Sequence, residues 1–219
     1  ALVVSTSQSM KSKLVLLAMI GVVGCGGSST PPEAESTSGA EASAPAPAPQ
    51  TIDEALAMTH RSADNRARDR YRHPSETLAF FGLRNDMTVL ELSPGGGWYT
   101  EILAPFTKDK GRLIVASPDG RASEGIAKFL GTAPDVYGKV EKANFPVLLG
   151  GTGVAPGTAD AVLTFRNVHN WIAGGYADKI FADAFRALKP GGVYVVLDHS
   201  SAPGVAFNAQ LRSEERRVG

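Results

Sequence analysis

The strongest constraint on the fold comes from residues 89–103, where a short apolar run, a glycine-rich turn and a helical pattern follow one another. The apolar run ends at Leu92, Pro94 opens a turn that continues with three glycines, and helical spacing of apolar residues resumes at Tyr99. This order predicts a strand, a tight loop and a helix. Glycines let the backbone approach a ligand closely, and the first amide groups of the helix face the same crevice. The stretch therefore predicts a nucleotide-cofactor site, with an ordinary strand-to-helix loop as the alternative.

Further apolar runs alternate with helical patterns along the chain. We expect a second strand at residues 112–116, a fourth at 160–165 and a fifth at 193–197, with a less regular third strand within 140–149. Amphipathic spacing predicts a helix at residues 177–188. Strands that alternate with helices form parallel sheets covered on both faces. The predicted fold class is therefore α/β, a Rossmann-like, mostly parallel sheet with helices on both faces.

The charge balance and the cysteine count exclude several kinds of partner. Lys plus Arg and Asp plus Glu both number 22, and the chain has no basic block, so nucleic acid is not an expected partner. Cys25 is the only cysteine, which excludes a disulfide framework and a cysteine-based metal site, and we expect no metal. Residues 61–72 are dense in Arg and Asp. We interpret them as a solvated helical face, with arginines that reach over a pocket as the alternative.

The N-terminal part of the chain has the pattern of an exported lipoprotein. Basic residues after Met10 precede an apolar run at 14–24 that is too short to span a bilayer as a helix, which is typical of a signal peptide. The run closes on Val-Val-Gly-Cys25, which resembles a bacterial lipobox. A plain secretory signal with an incidental cysteine is the alternative. We interpret residues 1–24 as upstream residues and signal peptide, and residues 25–50 as a disordered Gly/Ser/Pro/Ala tether. The expected location is the periplasmic side of a membrane or the cell surface, with a lipid on Cys25 as anchor.

Two motifs carry a resemblance to a known family. Leu188 opens a Leu-Lys-Pro-Gly-Gly segment before the fifth strand, and the first strand carries Glu91 just ahead of the glycine-rich loop. Together they resemble class I S-adenosyl-L-methionine (SAM) dependent methyltransferases, in particular a group of exported bacterial lipoproteins called predicted methyltransferases. The resemblance covers about residues 60–211. Two departures are that Ser93-Pro94 replaces the usual glycine after the acidic strand end and that the usual ribose-binding acid is displaced.

The resemblance implies SAM as the cofactor and assigns roles to individual residues. Glu91 would lie near the methionine amino group, and Asp119 would bind the ribose, with a helix-capping turn aspartate as the alternative. His169 would face the methyl acceptor as a base or hydrogen-bond donor, with a purely structural role as the alternative. The remaining cofactor-binding candidates lie in the loop or at a strand end: Ser93, Gly95, Gly96, Gly97, Tyr99 and Asn167.

The C-terminal part departs from the family pattern. Class I methyltransferases continue past the fifth strand with a helix and an antiparallel hairpin, so we interpret residues 51–211 as a methyltransferase-like domain whose last strands are missing. Residues 212–219 match the translation of a short-read sequencing adapter, and we interpret them as a non-native tail; a natural charged tail is the alternative. Without the last strands, the fifth strand would form an exposed sheet edge.

The function predicted from the sequence is SAM-dependent methyl transfer to a small or lipid-like acceptor by a membrane-tethered domain. One alternative is a non-catalytic ligand-binding lipoprotein with a methyltransferase-like fold, because SAM is not expected outside the cytoplasm. The other is a nucleotide-dependent oxidoreductase. Thr100 argues against the oxidoreductase, since it occupies the position of the third glycine in a dinucleotide fingerprint.

Overall fold

The structure is a computed structural model that describes residues 2–5, 47–145 and 152–198. The predicted signal peptide, most of the tether including Cys25, and the tail at residues 212–219 lie outside the described residues. The described strands are β1 (Leu2–Ser5), β2 (Thr88–Leu92), β3 (Arg112–Pro118), β4 (Glu141–Phe145), β5 (Ala159–Phe165) and β6 (Leu188–Leu197).

Four helices of the described residues precede β2, and the others lie between later strands. Thr51 caps the first of them in a capping box with Glu54, as the Thr-Ile-Asp-Glu pattern predicts. The helices are α1 (Ile52–Ala57), α2 (Ala63–Ala67), α3 (Asp69–Arg72), α4 (Pro74–Phe80), α5 (Thr100–Thr107), α6 (Arg121–Leu130), α7 (Pro134–Tyr137), α8 (Val168–Ala173) and α9 (Ala177–Ala187).

Five strands form a parallel sheet with β2 at its centre. The order across the whole sheet is β1-β6-β5-β2-β3-β4, and Glu91 of β2 is in register with Val115 of β3 and Leu163 of β5. From β2 the chain proceeds to β3 and β4 on one side and returns through β5 and β6 on the other. The carboxyl end of β2 is therefore a topological switch point, where open α/β sheets bind ligands. The Rossmann-like prediction is confirmed.

The outer edge of β6 is paired, contrary to our expectation of an exposed edge. β1 runs antiparallel to β6, with Leu2 opposite Val196 and Ser5 opposite Val193. An edge strand presents unpaired backbone amide and carbonyl groups, and a short antiparallel segment satisfies them. This contact joins residues almost two hundred positions apart, so no local pattern in the sequence indicates it.

Helices cover both faces of the sheet, as predicted. Val89 and its same-face neighbours pack against Ile102 and Leu103 of α5, while Leu90 on the opposite face belongs to the cluster that contains Ile180 of α9. Successive residues of a strand point to opposite faces, so β2 is buried throughout. Its burial fixes the position of the loop that follows it.

Candidate cofactor-binding site

A cavity of about 310 Å³ opens at the carboxyl end of β2. The loop from Ser93 to Tyr99 forms part of its wall, together with Glu91 and the end of β5 at Phe165. The amide of Ser93 donates a hydrogen bond of 2.8 Å to the carbonyl of Ala116, which ties the start of the loop to β3. The start of the predicted cofactor loop is thus tied to β3 at the switch point.

The structure requires glycine for different reasons, or not at all, at the three positions of the loop. Gly97 has a φ of 81°, and a Cβ there would lie 2.6 Å from the Phe129 ring, so the protein's own packing requires glycine. Gly95 has a φ of 60°, in the left-handed region that favours glycine, but a Cβ would meet no atom within 4 Å. Gly96 shows neither constraint, since its φ lies outside that region and its Cβ would also enter open space. The open space over Gly95 and Gly96 fits a ligand that rests on the backbone.

Glu91 is a buried carboxylate at the cavity. It is 2% exposed, and Thr100 donates a hydrogen bond of 2.7 Å to its Oε2. Burial raises the pKa of Glu91 to about 7, and the hydrogen bond from Thr100 opposes this shift. Thr100 therefore orients the carboxylate in addition to occupying the third fingerprint position. A cationic ligand group beside Glu91 would favour its ionised form.

Two buried hydroxyl groups beside the loop have no hydrogen-bond partner among the described residues. They are Tyr99 Oη and Ser93 Oγ, and both residues line the cavity. The Tyr99 ring stacks on Phe165 with centroids 3.5 Å apart, and burial raises the pKa of its phenol to about 12, so it stays protonated at neutral pH. Buried polar groups are rarely left unpaired in native proteins. A polar ligand in the cavity would supply the missing partners.

Asn167 connects the two central strand ends. Its amide nitrogen lies 3.1 Å from the Ser93 carbonyl, 3.0 Å from the Phe165 carbonyl and 3.1 Å from Thr164 Oγ1. Asn167 also lines the cavity. The residue therefore positions the glycine loop against the end of β5 while it contributes to the ligand wall.

The segment before β2 contributes cavity residues that are absent from the candidates predicted from the sequence. Asn65, Arg68 and Arg72 line the cavity, and the Arg72 guanidinium lies 4.5 Å from the centre of the Trp98 ring. The interpretation of residues 61–72 as a solvated face is wrong for Arg61, which is 1% exposed. The alternative, that arginines of this segment reach the pocket, holds for Arg68 and Arg72.

Arg61 fixes this segment to the body of the domain. Its guanidinium bonds both oxygens of Asp69 at 2.6 and 2.8 Å, and its Nε lies 3.6 Å from Glu101 Oε2. Asn65 donates from Nδ2 to Glu101 Oε1 at 2.9 Å, and Trp98 Nε1 donates to the Asn65 carbonyl at 2.9 Å. A bidentate arginine pair in a buried setting is geometrically specific. The network holds Arg68 and Arg72 against the cavity.

Three predicted site residues lie outside the set that lines the cavity: Gly97, His169 and Asp119. His169 is in α8, where its Nδ1 lies 2.8 Å from Asp198 Oδ1, and Asp198 Oδ2 accepts the Val168 amide at 2.7 Å. Asp119 directly follows β3, because that strand extends to Pro118, two residues beyond our prediction. Asp119 therefore stands at the strand end, where a ribose-binding acid is expected. The roles of His169 and Asp119 stay predictions.

The described residues contain no group of His, Cys, Asp and Glu side chains that could hold a metal ion. Nor does any helix within the described ranges have the length and apolarity needed to cross a membrane.

Comparison with known proteins establishes the fold. No protein family model matches the sequence, and no curated protein matches it. Among solved structures, a SAM-dependent methyltransferase from Aquifex aeolicus superimposes with a TM-score of 0.53 at 18% identity, over 68% of this chain and 81% of that one. The PH0226 protein from Pyrococcus horikoshii OT3 superimposes with a TM-score of 0.50 at 16% identity, over 72% of this chain and 62% of that one. The domain thus has the Rossmann-like fold found in SAM-dependent methyltransferases.

Proposed function

We propose that this protein is a SAM-dependent methyltransferase. The observation that carries the proposal is the open space over Gly95 and Gly96 beside the buried carboxylate of Glu91, at the switch point of this fold. Glycine at position 96 is not required by backbone conformation or by packing against the described residues, so a ligand that contacts the backbone explains it. The similarity in fold to a SAM-dependent methyltransferase supports the same cofactor.

The residues around the cavity fit the groups of SAM. Glu91 offers a carboxylate to the methionine ammonium group, and this pairing would lower its raised pKa. Gly95 and Gly96 provide the backbone surface beneath the cofactor. The unpaired hydroxyls of Ser93 and Tyr99 supply polar contacts, Asn167 holds the loop, and Asp119 at the end of β3 is our candidate for the ribose hydroxyls.

The protein's main contribution to the reaction is positioning. SAM supplies an electrophilic methyl group when bound, so the chain has to align an acceptor with that group and exclude water. Trp98, Tyr99 and Phe165 form an aromatic wall along the cavity, and the Arg61 network holds the preceding segment over it. A cavity whose walls are held in place in this way suits the alignment that methyl transfer needs.

His169 is our candidate for contact with the acceptor. Asp198 beside its Nδ1 favours the tautomer with a proton on Nδ1, which makes Nε2 the proton-accepting nitrogen. A His–carboxylate pair of this type can act as a general base when the acceptor must lose a proton.

We further propose that the domain acts at a membrane. The support is the sequence alone: the signal-peptide pattern, the lipobox-like segment at Cys25 and the tether up to residue 50. The acceptor would then be a small or lipid-like molecule available outside the cytoplasm. This location also requires a supply of SAM there, and for that reason direct measurement of cofactor binding comes first.

Calorimetry on the purified full chain carrying Cys25→Ser tests the function. We expect a saturable heat with SAM and none with NAD. Binding of NAD in place of SAM would favour the oxidoreductase, and absence of SAM binding at millimolar ligand would favour the non-catalytic binding protein.

A further inference from the structure

Three arginines line one cavity. Arg68, Arg72 and Arg166 all contribute to the wall that also contains Glu91 and the glycine loop. Arg72 is half-buried, and its guanidinium is placed on the Trp98 ring at 4.5 Å from the ring centre. Burial and the neighbouring charges of Arg68 and Arg166 lower the pKa of Arg72. This concentration of positive charge has a cost unless an anion offsets it.

The nearby carboxylates of the described residues offset the charges of Arg68 and Arg72 only in part. Asp69 lies between Arg68 and Arg72 in the sequence, but its two oxygens are both bonded to Arg61. Glu101, the other acidic residue of this network, also faces Arg61. Within the described part of the chain, neither Arg68 nor Arg72 forms an ion pair. Their guanidinium groups are therefore available to a ligand.

The cofactor does not offset the charge either. SAM carries a sulfonium and an ammonium group against one carboxylate, so it enters the cavity with a net positive charge. Glu91 is the one carboxylate among the described residues that line the cavity, and the ammonium group of SAM would pair with it. A second molecule that brings negative charge to Arg68 and Arg72 is therefore favoured in the cavity together with SAM.

We propose that the methyl acceptor is an anion, and that Arg68 and Arg72 bind its carboxylate or phosphate group. The inference rests on the proposed methyltransferase function. A guanidinium matches either oxyanion in a bidentate geometry, and the Trp98 ring holds the Arg72 fork in place before the ligand arrives. Arg166 adds a third positive charge at the end of β5. The acceptor class is thus a small acid or a phosphorylated molecule, such as a free organic acid or a phosphate-bearing head group.

Citrate and inorganic phosphate serve as probes for this subsite. Their dissociation constants are measured by calorimetry on the full chain carrying Cys25→Ser, with and without saturating SAM. We expect at least one probe to bind in the presence of saturating SAM at least as tightly as in its absence. Its affinity should fall at least about tenfold in the double variant Arg68→Gln/Arg72→Gln. Arg70→Gln is the matched control, because this substitution removes the same charge from α3. The Arg70 side chain lies over Tyr71 and does not line the cavity.

Several results would overturn the proposal. One is that neither probe binds at millimolar concentration. Another is that Arg70→Gln and Arg72→Gln weaken probe binding equally. Comparing the binding of SAM and of decarboxylated SAM shows whether Arg72 binds the acceptor or the carboxylate of the cofactor. If Arg72→Gln weakens SAM but leaves decarboxylated SAM and the anion probes unchanged, Arg72 binds the cofactor and the acceptor proposal is wrong.

Failure of the proposed function gives a different result. If the wild-type chain binds neither form of SAM but still binds an anion through Arg68 and Arg72, methyl transfer is refuted while the anion subsite stands. If SAM binds normally and the probes do not, the methyltransferase function stands and the anionic acceptor is refuted.

Discussion

Substitution of Gly96 separates cofactor binding from folding, because this glycine has no conformational or packing constraint of its own. A Cβ at position 96 meets no described atom within 4 Å, and the backbone φ is outside the left-handed region. Gly96→Ala should therefore leave the free energy of unfolding unchanged or raise it by about 0.4–1 kcal/mol, through reduced entropy of the unfolded chain. If the cofactor rests on this backbone, the added methyl group displaces it.

The expected loss of SAM affinity is at least about tenfold, or ~1.4 kcal/mol, for Gly96→Ala, and larger for the branched side chain of Gly96→Val. Calorimetry gives the affinity, and thermal unfolding of the ligand-free variant gives the stability. For a chain of this size, about 1 kcal/mol corresponds to a shift in melting temperature of about 2–4 °C.

Gly97 provides the contrast within the same loop. A Cβ at Gly97 would lie 2.6 Å from the Phe129 ring with φ at 81°, so Gly97→Ala should lower the melting temperature of the free protein. Unchanged SAM affinity in a folded Gly96→Val protein would refute the assignment of this loop. A loss of stability in Gly96→Ala as large as that in Gly97→Ala would refute the packing argument.

Three further predictions follow from the site and the sequence. The pKa of Glu91 is about 7 in the folded protein, above that of an unfolded carboxyl. The free energy of unfolding should therefore fall by up to about 3 kcal/mol between about pH 4.5 and 7. Denaturant titrations at pH 5 and pH 8 should show a smaller fall for Glu91→Gln than for wild type. The same fall in the free energy of unfolding from pH 5 to pH 8 in both proteins would contradict the argument that burial raises the pKa of Glu91. The His169→Ala variant should bind SAM nearly as well as wild type. In the presence of a membrane extract, it should release S-adenosylhomocysteine about a hundredfold more slowly. Full turnover of this variant would leave His169 with a structural role beside Asp198. Cys25→Ser should move the protein to the soluble fraction or leave it unprocessed, and a mature-sized membrane-bound product would show that the lipobox interpretation is wrong.

The central part of the fold could be predicted from local patterns. The strand, loop and helix around Pro94, the strand at residues 160–165 and the amphipathic helix at 177–188 all have regular apolar spacing, and the structure has them as β2 to α5, β5 and α9. Alternation of strands and helices then restricts the sheet to a parallel arrangement. The capping box at Thr51 is local as well. Such features depend on residues within a few positions of one another, which is why the sequence reveals them.

Part of the candidate site could also be predicted, because the carboxyl ends of neighbouring parallel strands meet at one edge. Glu91, the glycine loop and Asn167 line one cavity, although Glu91 and Asn167 are far apart in the chain. The structure does not place His169 on that cavity, since its side chain turns to Asp198 of a different strand end. The direction of a side chain depends on its partners, which a single stretch of sequence does not contain.

Only the tertiary structure decided which charges of residues 61–72 are buried and which face the ligand. Arg61 looks like its neighbours in the sequence, yet it is enclosed because Asp69 and Glu101 pair with it, while Arg68 and Arg72 remain at the cavity. The tertiary structure also decided the pairing of β1 with β6. It likewise decided that packing constrains Gly97 but leaves Gly96 unconstrained. Hydrophobic periodicity is repeated along the chain and can be seen in it, whereas a buried ion pair or a close contact is made once, between distant residues, and exists only after the chain has folded.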